Sequence, residues 1–114
     1  MDPVSPILIN KALDGLSMRM LATANNIANV NSPNFRPSRV SFEESLRAAA
    51  AEGSDAVARV TPRVEHVAPR AGDSNVRLDL ELATASATAM RYGALLDLLG
   101  RQMQLARTVI RGGQ

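Results

Sequence analysis

The sequence predicts an all-α protein. Its long N- and C-terminal heptad helices pair as an antiparallel coiled-coil hairpin, joined by a mostly irregular middle segment with one short helix. Three observations lead there. Apolar residues recur with alternating spacings of four and three toward both ends of the chain, the signature of a helical seam. Aromatic residues are only 3% against 46% hydrophobic, so the core rests on aliphatic side chains and alanine, not on the aromatics that strands favour. Four of the six prolines, Pro33, Pro37, Pro62 and Pro69, fall between the two helical patterns.

The first pattern covers residues 5–31. Ser5 is placed to cap it and Pro6 to occupy its first turn, where a missing N–H costs nothing. Its seam runs Ile9, Leu13, Leu16, Met20, Thr23, Ile27 and Val30, with threonine the one polar member. Asn31-Ser32-Pro33-Asn34 ends it, because the residue before a proline avoids helical backbone. The second pattern runs Leu78, Leu82, Ala85, Ala89, Tyr92, Leu96, Leu99, Met103, Ala106 and Ile110. Asp79 and Glu81 at its start and Arg107 and Arg111 near its end complement the helix dipole. Residues 78–110 as helix reach roughly 50 Å, and Gly112-Gly113 stop it.

Leu95, Leu98, Leu105 and Val109 widen the apolar surface of this second helix beyond a two-stranded seam. Ser86, Gly93 and Gly100 repeat every seven residues on another flank, a smooth strip open to close helix approach. The first helix is too short to cover all of this, so assembly through the excess surface is expected.

Between the helices, Ser41-Phe42-Glu43-Glu44 fits a capping box ahead of a short helix through Leu46 and Ala48–Ala51 to Gly53. Beyond it, Val57, Val60, Val64 and Val67 stand among charges and prolines. This stretch is expected to be mobile or to form a short hairpin, and His66 to be solvated. The chain therefore divides into 1–31, the N-terminal helix; 32–75, a turn, short helix and flexible connector; and 76–114, the C-terminal helix.

Composition excludes several functions. Without cysteine there is no disulfide and no thiolate metal site, and a single histidine argues against a histidine metal cluster or a Ser/His triad. No catalytic, cofactor-binding or metal-binding residues are assigned. The net charge is +2, and the basic residues, all arginine but Lys11, are spread along the chain without the patch a nucleic-acid binder needs. No apolar run is long enough to span a membrane, and the N-terminus does not read as a cleavable export signal.

The stretch that carries information is Asn25-Asn26-Ile27-Ala28-Asn29-Val30-Asn31-Ser32-Pro33-Asn34-Phe35. By itself it reads as a helix fraying into an asparagine-rich turn. In detail it resembles the signature of the bacterial flagellar axial proteins, which carry an Ala-Asn-Asn-Ile-Ala-Asn-Val-Asn-Thr-Pro-Gly-Tyr-like segment at the end of the N-terminal helix. A chain this short is similar to the proximal-rod subunits of that family. Leu95-Leu96-Asp97-Leu98-Leu99-Gly100-Arg101-Gln102 and Arg36-Pro37-Ser38-Arg39-Val40-Ser41-Phe42 look like the FlgB type. Arg91-Tyr92-Gly93-Ala94-Leu95 lacks the asparagine of the FlgC type. Two departures stand out: Asn34 in place of the usual glycine, and Arg77 where an aspartate is common before the C-terminal helix.

The resemblance implies a structural subunit of the periplasmic rod in the basal body, exported through the flagellar type III apparatus without a cleaved signal. It assembles with itself and other rod subunits into a helical tube, near the export gate, rod adaptor and MS ring. Assembly and helix packing fall to Ile9, Leu13, Leu16, Met20, Leu82, Tyr92, Leu96, Leu98, Leu99, Met103, Leu105 and Ile110. The alternatives are the FlgC type and a needle-type subunit of a type III secretion system, whose turn would not carry the asparagine motif.

Overall fold

The first heptad pattern forms helix α1, Val4–Ala28, and the second forms helix α4, Leu78–Gly112. A computed structural model describes residues 4–68 and 76–112. The chain is mostly helical and elongated, with principal extents of 67 × 26 × 13 Å. Helix α1 already includes Val4 and Ser5, so Ser5 lies within the helix instead of capping it. Helix α4 runs through Gly112. The expected stop at Gly113 and residues 69–75 of the connector lie outside the described residues.

The middle segment is more regular than its composition predicts. It contains strand β1 (Ser38–Ser41), helix α2 (Glu43–Glu52), helix α3 (Ser54–Ala58) and strand β2 (Arg63–His66). The strands pair antiparallel with Ser38 opposite His66 and Ser41 opposite Arg63, and the Val67 N–H extends the ladder by donating to the Pro37 carbonyl at 2.8 Å. The expectation was a mobile stretch or a short hairpin within the connector itself. Instead the second half of the segment folds back across α2 and α3 onto the residues that follow the asparagine turn. Burial explains the order: Val57 is fully buried and joins Leu16, Val40, Phe42, Leu46 and Ala49 in one cluster.

Helix α2 starts without the expected capping box. Its N-cap is Phe42, with no side-chain cap hydrogen bond, while Ser41 is committed to β1. The Phe42 N–H donates to Glu43 Oε1 at 3.3 Å instead. Gly53 ends α2 as predicted, at φ 120, a backbone that side chains rarely adopt.

Contacts along α1 and α4 occur in opposite chain order. Asn26 meets Glu81, while Ala12 and Leu16 share the wall of a gap with Leu95. On α1 the expected seam residues Ile9, Leu13, Leu16 and Thr23 are buried, and Met20, Ile27 and Val30 are partly covered. Asn26 is also buried on this face. On α4 the face is rotated from the expected one. The covered residues are Glu81, Ala85, Thr88, Tyr92, Leu95, Leu99, Gln102 and Ala106. They keep the four–three alternation but replace Leu82, Ala89, Leu96 and Met103 by the residue immediately before each. Leu82, Leu96, Met103 and Ile110, expected on the intramolecular seam, are exposed. The rotation places Glu81 against Asn26 of α1, both buried and hydrogen-bonded to each other.

Candidate functional site

The asparagine motif lies where α1, β1 and α4 meet, and Asn26 is its centre. Asn26 Nδ2 donates to the Ser38 carbonyl at 3.0 Å and to Glu81 Oε2 at 3.1 Å, while Oδ1 accepts from the Ser38 N–H at 2.9 Å. Both amide hydrogens and the oxygen are used, so a side chain at 0% exposure leaves nothing unsatisfied. Glu81, 1% exposed, receives Asn26 on one oxygen and Arg39 Nη1 at 2.7 Å on the other. A buried carboxylate is tolerable on those terms and costly on others.

The pairing with Ser38 has a strand-like form. In an antiparallel ladder alternate residues turn their N–H and C=O away from the partner strand. Ser38 and Val40 are such residues on β1, and α1 supplies the groups that a third strand would have offered. Asn26 takes both backbone groups of Ser38. Arg19, seven residues earlier on α1, donates to the Val40 carbonyl from Nη2 at 2.6 Å and from Nε at 3.3 Å. A heptad step places the two side chains on one helix face, and an otherwise open sheet edge is closed.

Arg19 also makes a two-pronged ion pair with Glu43, at 2.7 and 2.8 Å. Its guanidinium lies over the Phe42 ring, 5.0 Å from the centroid. The Arg19 hydrogen bonds hold the Glu43 carboxyl at about 2, below its ordinary 4.5, against an opposing effect of partial burial. Arg91 of α4 approaches the same carboxylate at 3.7 Å. Phe42 packs directly on Gly15, where an added Cβ would overlap the ring. Gly15 is thus the docking point that lets β1 and α2 sit against α1.

The rest of the motif shapes the turn. Asn29 Nδ2 donates to the Asn25 carbonyl at 2.9 Å, and Ser32 Oγ donates to Asn29 Oδ1 at 3.0 Å. The Ser32 N–H donates to the Asn29 carbonyl and the Phe35 N–H to the Ser32 carbonyl. Asn34 has φ 65, the left-handed backbone for which asparagine is the best substitute for glycine. Asn25, Asn31, Pro33 and Asn34 are exposed, and Ile27, Asn29, Val30, Ser32 and Phe35 partly covered. Ala28 closes α1 and is exposed. Pro37, just downstream, is fully buried.

The structure brings the motif together with Ser38, Arg39 and Glu81, none of which was singled out as a partner from sequence. The nearest sequence signal was Thr23, the one polar member of the α1 seam, which is buried one turn before Asn26. Arg77 immediately precedes α4. Its carbonyl accepts from the Glu81 N–H, and its guanidinium pairs with Asp79 at 3.2 Å. His66 lies exposed on β2, with Nδ1 3.4 Å from Ser38 Oγ.

The second candidate surface is the outward side of α4. Leu82, Leu96, Met103 and Ile110 are exposed along one flank of the covered stripe and Leu98 and Leu105 along the other, whereas Tyr92 and Leu99 are partly covered. Gly93 and Gly100 face open space, so α1 does not use the small-residue strip. No helix among the described residues is long and apolar enough to cross a membrane. No cluster of metal-binding side chains occurs among them either.

No family model matches the chain. It is 50% identical over 42 residues to the flagellar basal body rod protein FlgB of Borrelia hermsii, a match covering 37% of this chain and 31% of the relative. It is 45% identical over 40 residues to FlgB of Borreliella burgdorferi, covering 35% and 30% respectively. The aligned part thus spans about a third of the length of these curated relatives. Together with the asparagine motif at the end of α1, this identifies the chain as a protein resembling the FlgB-type flagellar basal-body rod proteins.

Proposed function

We propose that the chain is a structural subunit of the flagellar proximal rod, with no reaction to catalyse. In this reading α1 and α4 form an antiparallel coiled-coil hairpin whose outer surface packs against neighbouring copies and other rod subunits in a helical tube that transmits torque. The rod lies in the periplasm, its base adjoins the export gate, rod adaptor and MS ring, and the subunit reaches it by type III export.

The supporting observation is the outward face of α4. Leu82, Leu96, Met103 and Ile110 are exposed along one flank of α4, and Leu98 and Leu105 along the other, in a chain that resembles rod proteins. A row of large aliphatic side chains is an assembly surface when a partner covers it and an aggregation hazard otherwise. The asparagine motif acts behind that surface: by joining α1, β1 and α4 it sets the axial position of α4, and hence of its row.

The test uses a strain whose only copy carries Leu98→Glu or Leu105→Glu. Both side chains are exposed in the single chain, so folding should be near wild type. In an assembled rod a buried, unpaired carboxylate costs several kcal/mol at every copy. The expected result is protein that is made and exported but absent from isolated basal bodies, in non-motile cells. Normal rods and swimming in both strains would remove this flank from the interface.

A further inference from the structure

A gap of about 300 Å³ lies between α1, α2 and α4, lined by Leu16 and Phe42 on one side and by Ala94 and Leu95 of α4 on the other, with Glu43 and Arg91 at its rim. Helix α4 is held unevenly around it. At its start α4 is tied down by Glu81, which is buried and bonded to both Asn26 and Arg39. At the level of the gap Arg91 stands 3.7 Å from the Glu43 carboxylate, beyond hydrogen-bond distance. Arg19 holds the same carboxylate at 2.7 and 2.8 Å. A carboxylate offers about four lone-pair sites, so Glu43 keeps room for a further donor. Apolar walls that face a gap also forgo the dispersion contacts that closure would supply.

Gly93 lies in α4 immediately before Ala94. At about 3.6 residues per turn it falls on the side of the helix opposite the residues that line the gap. Nothing lies within 4 Å of where its Cβ would stand, so no close approach within the chain calls for a glycine there. In a helix interior glycine is disfavoured against alanine by about fivefold. Helices curve with their convex side toward water, where carbonyls tilt outward to be hydrated, and a missing side chain leaves that side open. We infer that α4 bends at Gly93 toward α1 and α2, closing the gap over Leu16 and Phe42 and bringing Arg91 within hydrogen-bond distance of Glu43. Helix α4 is then a strap, fixed at Glu81 and free to swing beyond Gly93. This is a property of the single chain and does not depend on the rod reading.

The chain has no cysteine, so spin labels go only where cysteines are introduced. Ala48 on α2 and Gln104 on α4 are exposed. The full chain carrying Ala48→Cys and Gln104→Cys is labelled, diluted into excess unlabelled chain so that only distances within one molecule are read, and measured by pulsed electron paramagnetic resonance. The expected distribution holds two distances, the shorter from the closed strap. Adding Gly93→Ala should depopulate the shorter one by about fivefold, the preference of regular helix for alanine. Adding Ala94→Leu, which fills the gap from α4, should remove it. A single distance in the parent, or a shorter one that either substitution leaves at its parental level, overturns the hinge. Unchanged distances in a Gly93→Ala chain that is absent from isolated basal bodies would likewise overturn it, assigning the glycine to a contact between chains instead.

Discussion

The Asn26 amide donates to Glu81 at 3.1 Å, joining the last turn of α1 to the first turn of α4 across 55 residues of chain. Both residues are buried, and the remaining capacity of each is taken up by β1 through Ser38 and Arg39. One amide therefore sets where α4 begins relative to where α1 ends. The asparagine-rich end of α1 is thereby tied to the start of α4.

Asn26→Asp should be the most damaging conservative change in the chain. It removes the donor to Glu81 and places a second carboxylate beside the first, at a cost of about 3–5 kcal/mol. Urea unfolding followed by helical circular dichroism measures it. Adding Glu81→Gln to that background should recover a substantial part, because the like-charge contact is gone. No recovery would mean that the backbone pairing with Ser38 carries the whole effect.

Gly15→Ala sets two effects against each other. Alanine within a helix is better than glycine by about 1 kcal/mol, yet its Cβ overlaps the Phe42 ring, and overpacking a core costs about 1–3 kcal/mol. The ring is buried and covered by Arg19, so it has little room to yield and the clash wins. Thermal unfolding should show a net loss, and in a double-mutant cycle Phe42→Leu should offset it.

Acid should weaken the Arg19–Glu43 clamp. The folded carboxyl is held at about 2 and the unfolded one titrates near 4.5. The stabilisation is therefore fully present above about pH 4.5, and is lost as pH falls from there toward 2. Glu43 is nearly half exposed, so solvent screening reduces the effect to roughly 1 kcal/mol. Stability measured from pH 6 to 2.5 should fall more steeply for the wild type than for Glu43→Gln. Parallel curves would mean that the clamp adds nothing to folding.

Asn34 supplies the fourth test. At φ 65 glycine is at least as comfortable as asparagine, whereas a β-branched residue pays about 1–2 kcal/mol for left-handed backbone. Asn34→Gly should leave melting and motility near wild type, and Asn34→Val should lower both. Equal behaviour would show that the turn adapts.

The two long helices and the turn between them were legible because their signals are local. Heptad spacing, Pro33 and the asparagine run act within a few residues of where they stand, and so did Gly53 as the end of α2. The capping box at Ser41–Glu44 was equally local and did not form, because Ser41 was claimed by a strand whose partner lies 22 residues on. The same competition converted the valine-rich connector into β2 and α3.

What the sequence determined by itself is periodicity: which segments are helical, roughly where they stop, and that α4 has more apolar surface than α1 can cover. Tertiary structure alone decided which face of α4 turns inward. The covered stripe shares Ala85, Tyr92, Leu99 and Ala106 with the wholly apolar one that periodicity favours, but takes Glu81, Thr88, Leu95 and Gln102 in place of Leu82, Ala89, Leu96 and Met103. The choice fell to polar groups on other elements. Buried Asn26 on α1 and Arg39 on β1 both bond the carboxylate of Glu81. Leu82, Leu96 and Met103 therefore remained outside.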